Sequence, residues 1–184
     1  MSLATLNQKN DLDDLFMVDD EEEDTQANKY LTFKTGKESY GIGIGDVIEI
    51  IELQKIIEVP DTPDYVKGVI NLRGRIIPVM DVRLRFHLKE RDYDDRTCIV
   101  VVNVKSNTIG FIVDTVEEVV EILQENIAPP PKFKNYGNLR NDYIQGIGKS
   151  EDQVKILLDV ERIMFEEELE KLGKMATETS IETD

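Results

Sequence analysis

Residues 40–53 read YGIGIGDVIEIIEL, and residues 109–122 read IGFIVDTVEEVVEI. At an offset of 69 residues Gly41 falls on Gly110, Ile44 on Val113, Val47 on Val116, Glu49 on Glu118 and Ile50-Ile51 on Val119-Val120. Pro60 then meets Pro129. Further along, Val66-Lys67-Gly68-Val69 aligns with Ile144-Gln145-Gly146-Ile147 at an offset of 78, so the second copy carries about nine extra residues near its Pro-rich loop. Thirteen residues after Gly68 and Gly146 stand Asp81-Val82 and Asp159-Val160. Apolar strands align by chance; matched Gly, Pro and Asp-Val positions do not. The chain is one structural unit written twice.

Each copy predicts the same elements. A strand (31–35 or 99–104) turns at Gly36-Lys37-Glu38 or Ser106-Asn107 into a second strand around Gly41 or Gly110. A β-branched third strand follows (48–51 or 119–122), then a Pro-containing loop and two further strands that end at Met80 or Leu158. Asp81 and Asp159 are placed to cap short helices, the second able to run on past Leu169 to Leu172 and stop at Gly173. Five strands per copy favour a closed barrel over an open sheet with long edges. The expected fold is therefore mainly β. Two small five-stranded barrels pack side by side, about 30–86 and about 98–160, with 87–96 as connector, short helices after each barrel and a C-terminal helix. Pro78, lacking an N–H, belongs on an edge strand or at a bulge.

Charge divides the chain differently. Net charge is −16 over 184 residues, but residues 1–28 hold −8, residues 161–184 hold −5, and the middle only −3. The block DDEEED at 19–24 repels itself, so 1–28 reads as an acidic disordered leader, 29–167 as the folded domain and 168–184 as a helix end with a disordered tail. A body this weakly acidic, with no basic stripe, excludes duplex nucleic acid and anionic lipid as ligands. It equally disfavours a single-strand binder using barrel faces. One cysteine permits no internal disulfide, and no apolar run suits a membrane span or an export signal. A cytoplasmic protein with no direct membrane insertion is expected.

Catalytic chemistry finds no purchase. His87 lies in a polar run without a second metal ligand nearby, and Cys98 sits in an apolar strand. Gly41-Ile-Gly-Ile-Gly45 lacks the strand-to-helix context of a dinucleotide loop. The acidic runs lack the glycine and closing glutamate of a calcium loop. No catalytic residue, metal or cofactor is assigned, and an enzyme on this scaffold is disfavoured.

The repeat also works as a control. What both copies share serves the fold; what one copy alone carries is a candidate for function. Between the aligned glycine and Asp-Val, copy one reads VINLRGRIIPVM and copy two IGKSEDQVKILL. The surplus in copy one is Asn71-Leu72-Arg73-Gly74-Arg75. An arginine at a strand end can hold a carboxylate bidentately, and Glu49 is the attractive partner. Such a pair serves equally as a structural lock or as part of an interaction site.

The strings GVINLRGRIIPVMDVRLRF, YGIGIGDVIEII, TPDYVKG and GFIVDTVEEVVEI closely resemble the CheW family of bacterial chemotaxis coupling proteins, over about 30–167. The NLRG-x-x-x-P-x-x-D-x-R string is highly specific. The resemblance implies SH3-like five-stranded barrels sharing a core. It also implies a non-enzymatic adaptor joining methyl-accepting chemoreceptor hairpin tips to the regulatory domain of the histidine kinase CheA, located at the inner face of the membrane through receptor arrays. By the same resemblance Arg73 and Glu49 fall on receptor-coupling positions. Val47, Lys67 and Gly68 line the same region, with Asn71, Leu72 and Gly74 building the Arg73 turn. Val116 and Val119 are apolar walls of a groove between the barrels, and Phe133 resembles an aromatic used at ring contacts. With this length the resemblance disfavours a fused receiver domain of the CheV type.

Overall fold

A computed structural model describes residues 26–130 and 142–164. The expected C-terminal helix beyond Met164, the acidic leader up to Thr25 and Phe133 lie outside the described residues.

The first copy forms β1 (Lys29–Thr35), β2 (Glu38–Gly43), β3 (Val47–Glu52), β4 (Val66–Leu72) and β5 (Arg75–Asp81), then helix α1 (Val82–Arg85). The second forms β6 (Cys98–Val104), β7 (Asn107–Val113), β8 (Thr115–Glu121), the two-residue β9 (Ile127–Ala128), β10 (Ile144–Ser150) and β11 (Gln153–Leu158), then helix α2 (Val160–Ile163). The Asp caps form as the sequence predicts: Asp81 accepts the Leu84 N–H at 3.3 Å and Asp159 accepts the Glu161 N–H at 3.0 Å. Both helices last a single turn among the described residues.

The two copies do not fold into separate barrels; they exchange strands. One sheet runs β8-β1-β2-β11-β10-β9 and the other β3-β6-β7-β5-β4. Barrel one thus takes its first hairpin from copy one and the rest from copy two, and barrel two is assembled the opposite way. The boundaries 30–86 and 98–160 describe the repeat, not the barrels. The exchange is sewn by two parallel pairings with matching registers, Leu157 on Gly41 and Val79 on Gly110. Each barrel closes where the chain leaving its edge strand crosses to the opposite edge. Ile57 bridges Val69 in barrel two, and β9 pairs with β10 in barrel one.

Pro78 lies inside the sheet rather than at an edge. Its partner on β4, Val69, spends its own N–H and C=O on Ile57 at 2.9 and 2.8 Å. On the other side the β5–β7 ladder starts only at Val79, so the donor that proline lacks is not required.

Alternation sends side chains to two kinds of interior. Between the sheets lies the shared core, with Leu31, Phe33, Met80, Val102, Phe111, Leu158 and Val160. Inside barrel two pack Ile70, Leu72, Ile77, Val79, Ile99, Val101 and Ile112. Barrel one has a smaller apolar interior of Tyr30, Ile122 and Leu157, with Thr32 and Lys155 also buried.

Candidate functional site

The β4–β5 turn has two left-handed residues in succession, Arg73 at φ 53° and Gly74 at φ 84°. That backbone matches the twist of a tight hairpin. Asn71 Oδ1 accepts the Gly74 N–H at 2.9 Å and fixes the turn, while Leu72 is buried in the barrel-two interior and anchors it. The result points Arg73 across the barrel mouth to β3. Its Nη1 and Nη2 meet Glu49 Oε1 and Oε2 at 3.0 and 2.8 Å, the bidentate pair that the sequence suggested. Because β3 and β4 are the two edges of this sheet, the fork joins edge to edge. Hydrogen bonding first, and then the charge of Glu49, raises the Arg73 pKa further.

The repeat mates of this pair are Glu118 and Glu151, at the same turn position in barrel one. Glu151 keeps the left-handed backbone, φ 56°, but carries the opposite charge to Arg73. The turn geometry therefore belongs to the fold, and the ion pair to copy one alone.

The strand beside Arg73 presents apolar groups outward. Ile48 and Ile50 on β3 are 52% and 45% exposed, and Val119, the repeat mate of Ile50, is 51% exposed on β8. Val47 and Val116 point the other way and pack against the shared core. Charged Glu49 sits between the two isoleucines. Sequence reasoning named Val119 and passed over Ile48 and Ile50, which alternate along β3 with the less exposed Val47, Glu49 and Ile51.

Lys67 and Gly68 have roles of their own. Lys67, at the β4 bulge, bonds Glu90 of the connector at 2.7 Å, which holds the Glu90 carboxyl below its ordinary pKa. Gly68 is buried with φ +141°, and a Cβ there would run into the Ile57 carbonyl where the barrel closes. The connector is pinned further by Tyr93, whose hydroxyl donates to Asp81 Oδ2 at 2.8 Å. Among the described residues no cluster of His, Cys, Asp or Glu could hold a metal ion. None of their helices is long and apolar enough to cross a membrane. An exposed ion-paired arginine beside outward isoleucines suits binding to another macromolecule.

Comparison with known proteins points the same way. The model of the CheW-like domain matches residues 29–168. The Chemotaxis protein CheW of Klebsiella aerogenes is 35% identical over 153 residues, 83% of this chain and 91% of that protein. That of Treponema pallidum is 33% identical, covering 79% and 86%. In structure, the crystal structure of the scaffolding protein TtCheW from Thermoanaerobacter tengcongensis superposes with a TM-score of 0.69 at 34% identity, over 74% of this chain and 92% of that one. With the doubled barrel and the NLRG turn in place, the chain belongs to the CheW-like domain family of chemotaxis adaptors.

Proposed function

We propose that this chain couples chemoreceptor cytoplasmic hairpin tips to the regulatory domain of the histidine kinase CheA. It does so without chemistry of its own, in the cytoplasm at the inner face of the membrane where the receptor arrays lie. The receptor tip seats in the groove between the barrels, against the Arg73–Glu49 fork and the outward Ile48, Ile50 and Val119. Val47 and Val116 support that surface from beneath, and Lys67, Gly68, Asn71, Leu72 and Gly74 hold the strand and turn that present it. Phe133 is assigned to the ring contact with the kinase. Coupling follows from position: a receptor that shifts changes its differential contacts with the adaptor, and the kinase held beside it responds.

The observation that carries this reading is the Arg73–Glu49 fork, which the repeated barrel does not need and does not duplicate. The test is Arg73→Ala in arrays reconstituted from receptor fragment, kinase and this chain. Kinase activation falls by roughly tenfold, the cost of losing an interface anchor. Full activation, together with undiminished co-purification of receptor fragment and kinase, removes Arg73 from the site. Failure of the wild-type chain to bind either partner removes the adaptor reading itself.

A further inference from the structure

The single-turn helix α1 carries a second arginine, Arg85, which is buried. Its Nε donates to the Ile163 carbonyl of α2 at 2.8 Å. Its guanidinium carbon stands 5.3 Å from the centroid of the Tyr65 ring and 5.7 Å from that of Tyr143. These partners are related by the repeat: Tyr65 aligns with Tyr143, and Arg85 with Ile163, each at an offset of 78. The two tyrosines also do the same backbone work, Tyr65 accepting the Asp81 N–H at 2.7 Å and Tyr143 the Asp159 N–H at 2.8 Å. One guanidinium, present in one copy only, therefore sits at nearly equal distances from two rings related by the repeat.

Tyr65 leads into β4 of barrel two, whereas Tyr143 leads into β10 and Ile163 follows β11 of barrel one. The shared core that joins the barrels is apolar, and apolar attraction has no direction. A planar guanidinium does have one. Buried, it is stabilised by both rings and by the carbonyl held in place around it, and a cation that loses such surroundings in the interior is costly. Phe86, next in the chain, stacks on Tyr143 at 5.2 Å and meets Tyr40 at 4.9 Å, extending the contact into barrel one.

We propose that Arg85 is a positioning residue that fixes the orientation of one barrel relative to the other. Its consequence for coupling, a groove of constant width, rests on the reading that the receptor tip binds between the barrels. Two spin labels measure the orientation directly. They are attached in a Cys98→Ala background at Asn103→Cys on β6 of barrel two and Asp152→Cys at the β10–β11 turn of barrel one, both exposed sites. Arg85→Met broadens or shifts the inter-label distance distribution, and Arg85→Lys, which keeps charge but not the planar fork, shifts it less. Val79→Ala, a cavity inside barrel two, leaves the distribution unchanged while lowering stability. A folded Arg85→Met protein whose distribution superimposes on wild type overturns the proposal. If that variant does not fold, a wild-type distribution for Arg85→Lys overturns it. An altered distribution with coupling lost supports both readings; an altered distribution with coupling intact upholds the role of Arg85 and counts against the groove.

Discussion

At the scale of single residues, two arginine–carboxylate pairs look alike and do different things. The Arg73 side chain is 73% exposed, so water competes for both of its hydrogen bonds and the pair adds little to folding. Arg73→Ala should therefore leave the urea midpoint close to wild type even while coupling is lost. Asp114 is the contrasting case, because it occupies the single residue between β7 of barrel two and β8 of barrel one. It accepts the Gly36 N–H at 2.9 Å and Arg83 Nη2 at 2.8 Å. Burial alone would raise its pKa, but Arg83 and the Gly36 amide outweigh that and hold it below the ordinary aspartate value. A depressed folded pKa means stabilisation that is present above the unfolded value near ~4 and is lost as pH falls through the folded one. Asp114→Asn is thus less stable than wild type at neutral pH, and the gap closes on acidification below about pH 4. Urea titrations at a series of pH values check this; a gap independent of pH contradicts it.

Among the elements, barrel closure places the strictest demand on sequence. At Gly68 the crossing chain passes so near that a Cβ would meet the Ile57 backbone, and backbone cannot swing aside as a side chain can. Its mate Gly146 faces Ala128 O at 2.9 Å from the same built Cβ. Gly74 also has positive φ, yet nothing lies within 4 Å of its would-be Cβ. Gly68→Ala should cost about 3 kcal/mol or more, through overpacking added to backbone strain. Gly74→Ala should cost only the strain, about 1–2 kcal/mol. Equal losses in chemical denaturation would mean that crowding at the crossing is relieved by movement of the closing strand. The strands, the caps and the Asn71-to-Gly74 turn were legible in the sequence because each rests on local signals. The strand exchange was not, since periodicity names a strand's faces without naming its neighbours. Pro78 shows the cost of that gap: it excludes itself from a central ladder only where a donor is required, and the register of β7 removes the requirement.

For the whole molecule, the repeat predicts two equivalent barrels, and the interiors depart from that equivalence. Ile77 and Val101 inside barrel two align with Lys155 and Thr32 inside barrel one. Residues 153–158 read QVKILL, in which Val154, Ile156 and Leu158 share one face and Lys155 and Leu157 the other. Alternation would assign the lysine face to solvent. Strand β11 is instead covered on both sides, with Ile156 and Leu158 in the shared core and Leu157 and Lys155 turned into the barrel. The Lys155 side chain is 1% exposed, and its ammonium lies 3.4 Å from Glu117 Oε2. The other Glu117 oxygen accepts the Ser39 hydroxyl at 2.6 Å. A charge taken this far from water and paired at that distance regains little of its hydration, so the pair is weak support for the barrel. Replacing it with matching apolar bulk, as barrel two does with isoleucine, should be neutral or stabilising. Lys155→Met is expected to change unfolding free energy by about 0 to +2 kcal/mol. Glu117→Ala, which leaves the buried ammonium without its carboxylate, should cost about 1–3 kcal/mol, below the fully buried case because Glu117 keeps some contact with water. The two variants measured by urea denaturation thus move in opposite directions if desolvation of Lys155 governs barrel one. If Lys155→Met is instead the more damaging of the two, the pair itself holds the barrel, and its absence from barrel two would have to be offset by the larger apolar interior there.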